Sequence, residues 1–279
     1  MKIAVAQISC LLGDPGPNLF KVRDFSARAK QADADLIVFP EMIDTGYSMP
    51  VIRTKPTPLL GLMDSFPNFK RSPGNSRLRS SRVYPNGDGA SIYNSQVAVD
   101  QQGKIIAKYR KTHLFAVAPI EEHKCFSSGD DFTSFALGRL HFGLSICYDL
   151  RFPEIYRKLA IEQNANALIV SSAWPFPRVG HLRKLAMACA IENQSYVIAA
   201  NRVGADDGVS FCGTSSIIDP GGLIVASASQ DREELIQAEL SEELVSSTRR
   251  FVLRRKQIPF LSVDGLAATI IYRPSERGS

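Results

Sequence analysis

The sequence predicts a mixed α/β sandwich. Short apolar runs typical of buried strands alternate along the chain with segments of helical periodicity. Compact turns at 100–103 and 219–222 separate pairs of alternating segments, which predicts antiparallel hairpins among strands otherwise joined by helices. Because a chain of 279 residues can bury a large core, we expect helices to cover the strands on at least one face.

In the first half of the chain, residues 2–8 alternate as a strand, and residues 35–40 form a second, buried one. Between them, Asn18 is placed to cap a helix that runs to about residue 32. The predicted apolar face of this helix consists of Leu19, Phe20, Val22 and Phe25. Further strands are predicted at 93–99 and 104–109, on either side of the first turn.

The second half continues the alternation. The predicted strands are 141–146, 167–171, 196–200, 215–218, 223–227 and 235–240. The predicted helices run from about 152 to 163, from about 180 to 193 and, after a cap at Ser241, from about 242 to 255.

Composition and charge exclude several classes of protein. No apolar run approaches the ~18 residues that a membrane span needs, and the first residues lack the pattern of a signal peptide. Five cysteines and four histidines show no metal-ligand spacing, so we expect no metal, and free thiols in a reducing cytoplasm. There is no G-x-G-x-x-G or P-loop. Most of the +5 net charge lies in residues 55–88, so no basic stripe predicts nucleic-acid binding.

Cys147 follows the apolar run 141–146, and residues 152–156 then open a helix with Pro153 near its first turn. A thiol at such an elbow has a fixed position, and the positive end of the helix would favour its thiolate. A small buried core residue is the commoner role for a cysteine. The elbow alone leaves both interpretations open.

Glu41 and Lys111 also stand at or just beyond the ends of predicted strands, where open α/β sheets bind ligands. Glu41 can serve as the base for a thiol if burial raises its pKa. Lys111 and the backbone N–H of Tyr148 can stabilise negative charge on an acyl oxygen. Glu122 can hold the lysine and orient a substrate nitrogen. Taken singly, these charges are better explained as a helix-start carboxylate at Glu41 and solvated loop charges at Lys111 and Glu122.

Three motifs together resemble those of the nitrilase, or carbon–nitrogen hydrolase, superfamily. They are Phe39-Pro40-Glu41-Met42, Tyr109-Arg110-Lys111-Thr112-His113-Leu114 and Ile146-Cys147-Tyr148-Asp149-Leu150-Arg151-Phe152-Pro153-Glu154. Shorter matches are Tyr93-Asn94-Ser95, Ala190-Ile191-Glu192-Asn193-Gln194, Asn201-Arg202 and Gly213-Thr214-Ser215-Ser216-Ile217-Ile218-Asp219-Pro220-Gly221. The resemblance covers residues 2–54 and 90–255.

The resemblance implies a four-layer α-β-β-α sandwich and a Glu-Lys-Cys triad that needs no metal or organic cofactor. It implies that Glu41 is the general base, Lys111 the oxyanion stabiliser and Cys147 the nucleophile. Glu122 corresponds to an assisting second glutamate, with Glu121 as the alternative if the loop is offset by one residue. Members of the superfamily form an acyl-enzyme thioester, release ammonia or an amine, and usually pair as homodimers.

Within the superfamily, the motif around Cys147 resembles most closely the omega-amidase and Nit-like branch, which acts on small amides of dicarboxylic acids. Arg151 or Arg178 can then pair with a substrate carboxylate, whereas the alternative is that Arg151 braces the elbow through local carbonyls or Asp149. The expected function is hydrolysis of a small linear amide, including an omega-amide of a dicarboxylic acid. The alternatives are a nitrile substrate, or a catalytically impaired scaffold or interaction protein.

We expect one domain over residues 1–279, with two atypical stretches. In residues 55–88, Pro, Ser and Arg dominate and no apolar strand appears, although the family places a helix and a buried strand there. Either a compensated pair of frameshifts or a genuine basic loop explains this composition; in the second case a strand and its helix would be missing. Residues 256–279 form a C-terminal extension that does not resemble the usual ending.

Overall fold

The computed structural model describes residues 1–54, the backbone of 79–88, and residues 91–251. The first sheet has six strands in the order β14-β1-β2-β3-β4-β5. These strands are β1 (Lys2–Gln7), β2 (Leu36–Val38), β3 (Arg79–Asp88), β4 (Ser91–Val99), β5 (Ile105–Arg110) and β14 (Glu234–Glu239). Its centre is parallel, since β1, β2 and β3 run in one direction, while β14, β4 and β5 add antiparallel pairs.

The second sheet has six strands in the order β13-β12-β9-β8-β7-β6, with β7, β8 and β9 parallel. These strands are β6 (Ser134–Leu137), β7 (Leu140–Ile146), β8 (Ala167–Ser172), β9 (Tyr196–Asn201), β12 (Ser216–Ile218) and β13 (Ile224–Ser227). A separate small hairpin joins β10 (Ala205–Asp206) to β11 (Val209–Ser210). The hairpins predicted around 100–103 and 219–222 are confirmed as the β4–β5 and β12–β13 pairs.

The helices cover the outer faces of the sheets. They are α1 (Pro15–Gln31), α2 (Met49–Thr54), α3 (Pro153–Ile161), α4 (Val179–Asn193) and α5 (Glu242–Phe251). Two short 3-10 turns span Glu122–Lys124 and Cys147–Arg151. Among the described residues, no helix combines the length and apolar character needed to traverse a bilayer.

Side-chain alternation along the strands creates the layers. On β1, Ile3 and Val5 belong to the core between the two sheets, while Ala4 and Ala6 pack with α1 on the other side. On the second sheet, Gly143 of β7 lies directly under α3, because a Cβ there would be 2.9 Å from the Leu159 side chain. The order of layers is therefore α-β-β-α, as the family resemblance implied.

The expectation that residues 55–88 lack a strand is wrong for their last part. The backbone of β3 pairs parallel with β2 over three residues and antiparallel with β4 from Ser80 to Asp88. Apolar periodicity did not predict this strand, because residues 79–88 contain no apolar run. The strand is defined instead by backbone pairing with its neighbours. Pro85 is tolerated because β2 pairs only up to Ser81, which leaves one edge of β3 without a described strand partner at that point. The expected helix would fall within 55–78, outside the described residues, as does the extension 256–279.

The start of the first helix differs from the prediction. Helix α1 begins at Pro15, so Asn18 lies inside it, and its amide instead bonds Leu11 and the carbonyl of Asp44. Phe20 points to solvent with 69% of its surface exposed, whereas Val22 and Phe25 are buried as expected. Strand β6 and the β10–β11 hairpin were not predicted, because they are short and are defined by long-range pairing rather than by a local pattern.

Candidate active site

Glu41, Lys111 and Cys147 come together where strands of both sheets end. Lys111 follows β5 directly, Cys147 follows β7 directly, and Glu41 lies three residues beyond β2. The backbone N–H of Glu41 donates to the carbonyl of Ser172 at the end of β8, with N and O 3.3 Å apart. This contact joins the two sheets at the candidate site, as expected for ligand-binding strand ends.

The centre of the site is a buried ammonium between two carboxylates. Lys111 Nζ lies 3.0 Å from Glu41 Oε1 and 2.8 Å from Glu122 Oε1, and all three side chains are fully enclosed. Burial opposes the charge on Lys111, but Glu122 and Glu41 outweigh it and raise the lysine pKa. For Glu41, burial outweighs the opposing charge of Lys111 and raises the carboxyl pKa, as a base working near neutral pH requires.

The structure brings Glu122, not Glu121, to the lysine. Glu122 is fully buried and its Oε2 accepts from the backbone N–H of Phe115 at 2.7 Å. Glu121 points outward and pairs with Lys124 at 2.7 Å. Glu121 itself has a left-handed backbone, with φ of 40°. This turn directs the side chains of Glu121 and Glu122 apart.

Sequence reasoning missed the roles of two residues that hold these carboxylates. Asn94 Nδ2 donates to Glu41 Oε1 at 2.7 Å and to Glu122 Oε1 at 3.1 Å, and the backbone carbonyl of Asn94 accepts from the backbone N–H of Lys111. The Tyr47 hydroxyl donates to Glu122 Oε1 at 2.8 Å. The available signal was the motif Tyr93-Asn94-Ser95, which places an amide on the strand beside the lysine's strand.

The elbow at Cys147 is sharper than predicted. Cys147 has φ of 45°, a strained value for a residue with a side chain, and it opens the 3-10 turn that separates it from α3. Asp149 holds this turn, since its carboxylate accepts from the backbone N–H of Ile146, the Tyr109 hydroxyl and the N–H of His113. Tyr148 is the second residue of the turn, where the helix leaves its N–H without an intrahelical partner.

Helix α3 begins at Pro153, close to the start predicted near residue 152, but the five residues of the 3-10 turn from Cys147 to Arg151 precede it. The effect of the α-helix N-terminus on the thiol is therefore exerted across this turn and stays a prediction. Burial, followed by the charge of Glu41, raises the pKa of the Cys147 thiol well above its usual value, against the opposing effect of Lys111. A thiol with a raised pKa holds its proton near neutral pH and would need a base to act as a nucleophile.

A cavity opens beside the sulfur. Lys111, Cys147, Tyr148, Arg151 and Arg178 all line it, as do several apolar and aromatic side chains. The other lining residues are Tyr47, Phe115, Ile120, Ala173, Trp174 and Pro175. Such a small, mostly apolar cavity with a few converging polar groups is typical of small-molecule sites.

The two predicted substrate-binding arginines, Arg151 and Arg178, both line this cavity. The guanidinium of Arg151 stacks over Trp174 at 4.9 Å, and its Nη2 lies 3.2 Å from His181 Nδ1. Asp149 is engaged by backbone and hydroxyl donors, so the structure does not support the alternative that it binds Arg151. Arg178 lies 6.0 Å from the Phe115 ring, and its carbonyl accepts from Trp174 Nε1.

Within residues 1–54, 79–88 and 91–251, no cluster of His, Cys, Asp and Glu is suited to hold a metal ion. The fold and the site together define an α-β-β-α sandwich enzyme with a cysteine beside a buried carboxylate–ammonium cluster. More narrowly, the chain belongs to the carbon–nitrogen hydrolase family, whose sequence profile matches residues 2–250. The chain also fits the Nit branch of the nitrilase superfamily, because an omega-amidase and the Nit3 structure are among the proteins it resembles.

Two relatives, one of them also as a crystal structure, cover at least 88% of the chain. The 2-oxoglutaramate amidase of Bacillus subtilis is 33% identical over 263 residues, which is 88% of this chain and 94% of the relative. The omega-amidase NIT3 of Saccharomyces cerevisiae is 32% identical over 280 residues, covering 93% and 94%. The crystal structure of Saccharomyces cerevisiae Nit3 aligns with a TM-score of 0.81 at 30% identity, covering 93% of this chain and 97% of that one.

Proposed function

We propose that this protein hydrolyses the C–N bond of a small linear amide, releasing ammonia and a carboxylic acid. The observation that carries the proposal is the buried Lys111 ammonium between Glu41 and Glu122, facing a cavity that Cys147 also borders. The names of two relatives, a 2-oxoglutaramate amidase and an omega-amidase, support an amide substrate.

The first half-reaction forms a thioester. Glu41 takes the proton of Cys147 as the sulfur attacks the amide carbon, because the raised thiol pKa leaves little free thiolate. The carbonyl oxygen gains negative charge and meets the Lys111 ammonium and the N–H of Tyr148. An ammonium has three protons, and two carboxylates take two of them, which leaves one for this oxyanion. Glu41 then passes its proton to the leaving nitrogen, the C–N bond breaks, and ammonia departs.

The second half-reaction restores the enzyme. Glu41 takes a proton from a water molecule as its oxygen attacks the thioester carbon, and Lys111 again faces the oxyanion. The C–S bond breaks, the sulfur recovers its proton from Glu41, and the carboxylic acid leaves. Glu122 takes no proton in this scheme, because Lys111, Tyr47, Asn94 and the Phe115 N–H all donate to it.

We further propose that the substrate carries a distal carboxylate, as in an omega-amide of a dicarboxylic acid. Arg151 and Arg178 are cations on the cavity wall that also contains Trp174, and a guanidinium binds a carboxylate through two parallel hydrogen bonds. The aromatic face under Arg151 limits its rotamers and so lowers the entropy lost on binding.

The impaired-scaffold alternative depended on a strand and a helix missing from residues 55–88. β3 supplies the strand beside β2, which leads to Glu41, and this favours the catalytic proposal, while the helix would fall in residues 55–78, outside the described residues. A nitrile substrate is the second candidate, because a relative from Pyrococcus abyssi that is 32% identical over 258 residues is named a nitrilase.

We propose that the protein is a homodimer of single-domain subunits in a reducing compartment such as the cytoplasm. An apolar surface of α4 and β13 supports pairing, with Ile191, Leu223, Ile224 and Val225 each at least 40% exposed. The turn before β13 abuts α4, since a Cβ at Gly222 would lie 2.6 Å from the Ile191 side chain, so the surface is continuous. All five cysteines are free thiols, which fits a reducing compartment.

The test is a screen of small amides, with and without a distal carboxylate, scored by ammonia release. Cys147→Ala is expected to abolish turnover while its thermal unfolding stays close to that of the wild type. Cys212→Ala removes another buried thiol that does not line the cavity, and serves as the matched control. Ammonia release by Cys147→Ala at the wild-type rate would refute the mechanism.

A further inference from the structure

Tyr47 occupies a distinctive place between the ion cluster and the cavity. Its hydroxyl donates to Glu122 Oε1 at 2.8 Å, while its side chain forms part of the cavity wall beside Lys111 and Cys147. Only 5% of its surface is exposed. Burial, followed by the charges of Glu122 and Glu41, raises the pKa of Tyr47 well above its usual value, so the hydroxyl remains a donor.

A second buried ion pair fixes the backbone of Tyr47. Its N–H donates to Asp206 Oδ2 at 2.7 Å, and the same oxygen accepts from Arg202 Nη1 at 2.6 Å. Arg202 is completely buried and Asp206 is 3% exposed. The preceding Gly46 has φ of +74°, and a Cβ there would approach Asp206 Oδ2 to 3.1 Å, so this close contact requires a glycine.

Packing adds to this anchor. The Tyr47 ring meets the edge of Phe211 at 6.1 Å and 87°, and the guanidinium of Arg202 lies 4.3 Å over the same Phe211 ring. Phe211 follows directly on the β10–β11 hairpin that carries Asp206, and it bridges to Pro175 of the cavity wall. The tyrosine is therefore held at its backbone and ring, and only its hydroxyl reaches the cluster.

We propose that Tyr47 is a positioning residue that holds Glu122 against Lys111, and that the buried Arg202–Asp206 pair fixes Tyr47 in this role. The inference rests on the proposed function, in which Lys111 must present one proton to the oxyanion. A carboxylate that lost one of its donors would draw the ammonium toward itself and away from the substrate oxygen. Tyr47 contacts Glu122 and not Glu41, so its hydroxyl can be removed without breaking a hydrogen bond of the base.

The test compares Tyr47→Phe with Tyr156→Phe. Tyr156 is also buried and does not line the cavity. The Tyr156→Phe change removes a hydroxyl that lies 2.8 Å from Ser145 Oγ, so it also breaks one buried hydrogen bond. We expect Tyr47→Phe to lower kcat about tenfold with KM changed less than about twofold, the size of one charge-assisted hydrogen bond. The acid limb of its kcat/KM profile should move to higher pH, because a less neutralised Glu122 repels the charge on Glu41. Tyr156→Phe should keep both the rate and the profile.

A second readout does not depend on turnover. The pH dependence of Cys147 alkylation by iodoacetamide should shift upward in Tyr47→Phe, because the Glu122 charge also disfavours the thiolate. The Tyr156→Phe control should follow the wild type. If the wild type releases no ammonia from any amide, the proposed function fails, and the alkylation profile still decides the role of Tyr47. An unshifted profile together with an unchanged kcat would overturn the inference.

A double-mutant cycle tests the anchor. Asp206→Asn should lower kcat in the wild-type background but add little to Tyr47→Phe, because both changes act through the same hydroxyl. If kcat of the double variant falls by the product of the two single-variant losses, the anchoring role is contradicted. If Asp206→Asn does not fold, Gly46→Ala replaces it in the cycle, since the added Cβ displaces the same contact.

Discussion

Replacing Lys111 by Met removes the ammonium from the ion cluster while keeping a side chain of similar length. Two consequences follow from the geometry. The oxyanion loses a cationic donor. The carboxylates of Glu41 and Glu122 lose the positive charge that offsets their mutual repulsion. The first consequence concerns the transition state, and the second concerns the folded state.

The expected magnitudes differ for the two consequences. Loss of one oxyanion donor lowers kcat by roughly 10²–10³-fold with little change in KM, because the charge on oxygen exists only in the transition state. Breaking a fully buried ion pair costs about 3–5 kcal/mol of unfolding free energy. Without Lys111, the pKa of Glu41 rises further above its ordinary value of 4.5, so the folded state binds protons more readily than the unfolded chain. The stability of the variant therefore falls as pH rises above about 4.5 and recovers as pH is lowered.

The assay pairs ammonia-release kinetics with urea unfolding at pH 5 and pH 8. Lys104→Met, which removes an exposed ammonium, is the matched control and should change stability by no more than about 0.5 kcal/mol. A Lys111→Met variant that only raised KM would identify the lysine as a substrate-binding group and refute the oxyanion role. A variant with the same loss of stability at both pH values would refute the assigned protonation of Glu41.

Three further changes test neighbouring parts of the site. Glu122→Gln should move the acid limb of the kcat/KM profile to lower pH, because the charge of Glu122 helps to raise the pKa of Glu41, while Glu121→Gln leaves the limb in place. Arg151→Met should raise KM at least about tenfold for an amide with a distal carboxylate and leave KM for an uncharged amide unchanged; equal effects on both would exclude a carboxylate contact. Asp149→Asn should cost about 1–3 kcal/mol in urea unfolding and lower kcat, since the carboxylate holds the elbow N–H groups; full activity would show that the elbow does not depend on it.

Local sequence patterns placed Glu41, Lys111 and Cys147 at or just beyond the ends of strands, because strand ends are visible in short windows of sequence. Their expected roles came from the resemblance to the carbon–nitrogen hydrolase superfamily. The same reasoning missed β3, whose partners β2 and β4 define it by backbone pairing. It placed the start of the following helix correctly, near Pro153, but did not predict the 3-10 turn that lies between the thiol and this helix.

The sequence by itself therefore determined the alternation of strands and helices, the two hairpins and the three strand-end residues. Only the tertiary structure decided that Glu122 rather than Glu121 meets the lysine, that Asn94 and Tyr47 hold the carboxylates, and that the pKa of the thiol is raised. The physical reason is distance along the chain. The pKa of a buried group depends on burial and on charges from other elements, and the contacts that set it join residues 70 positions apart at Lys111–Glu41 and 75 apart at Tyr47–Glu122.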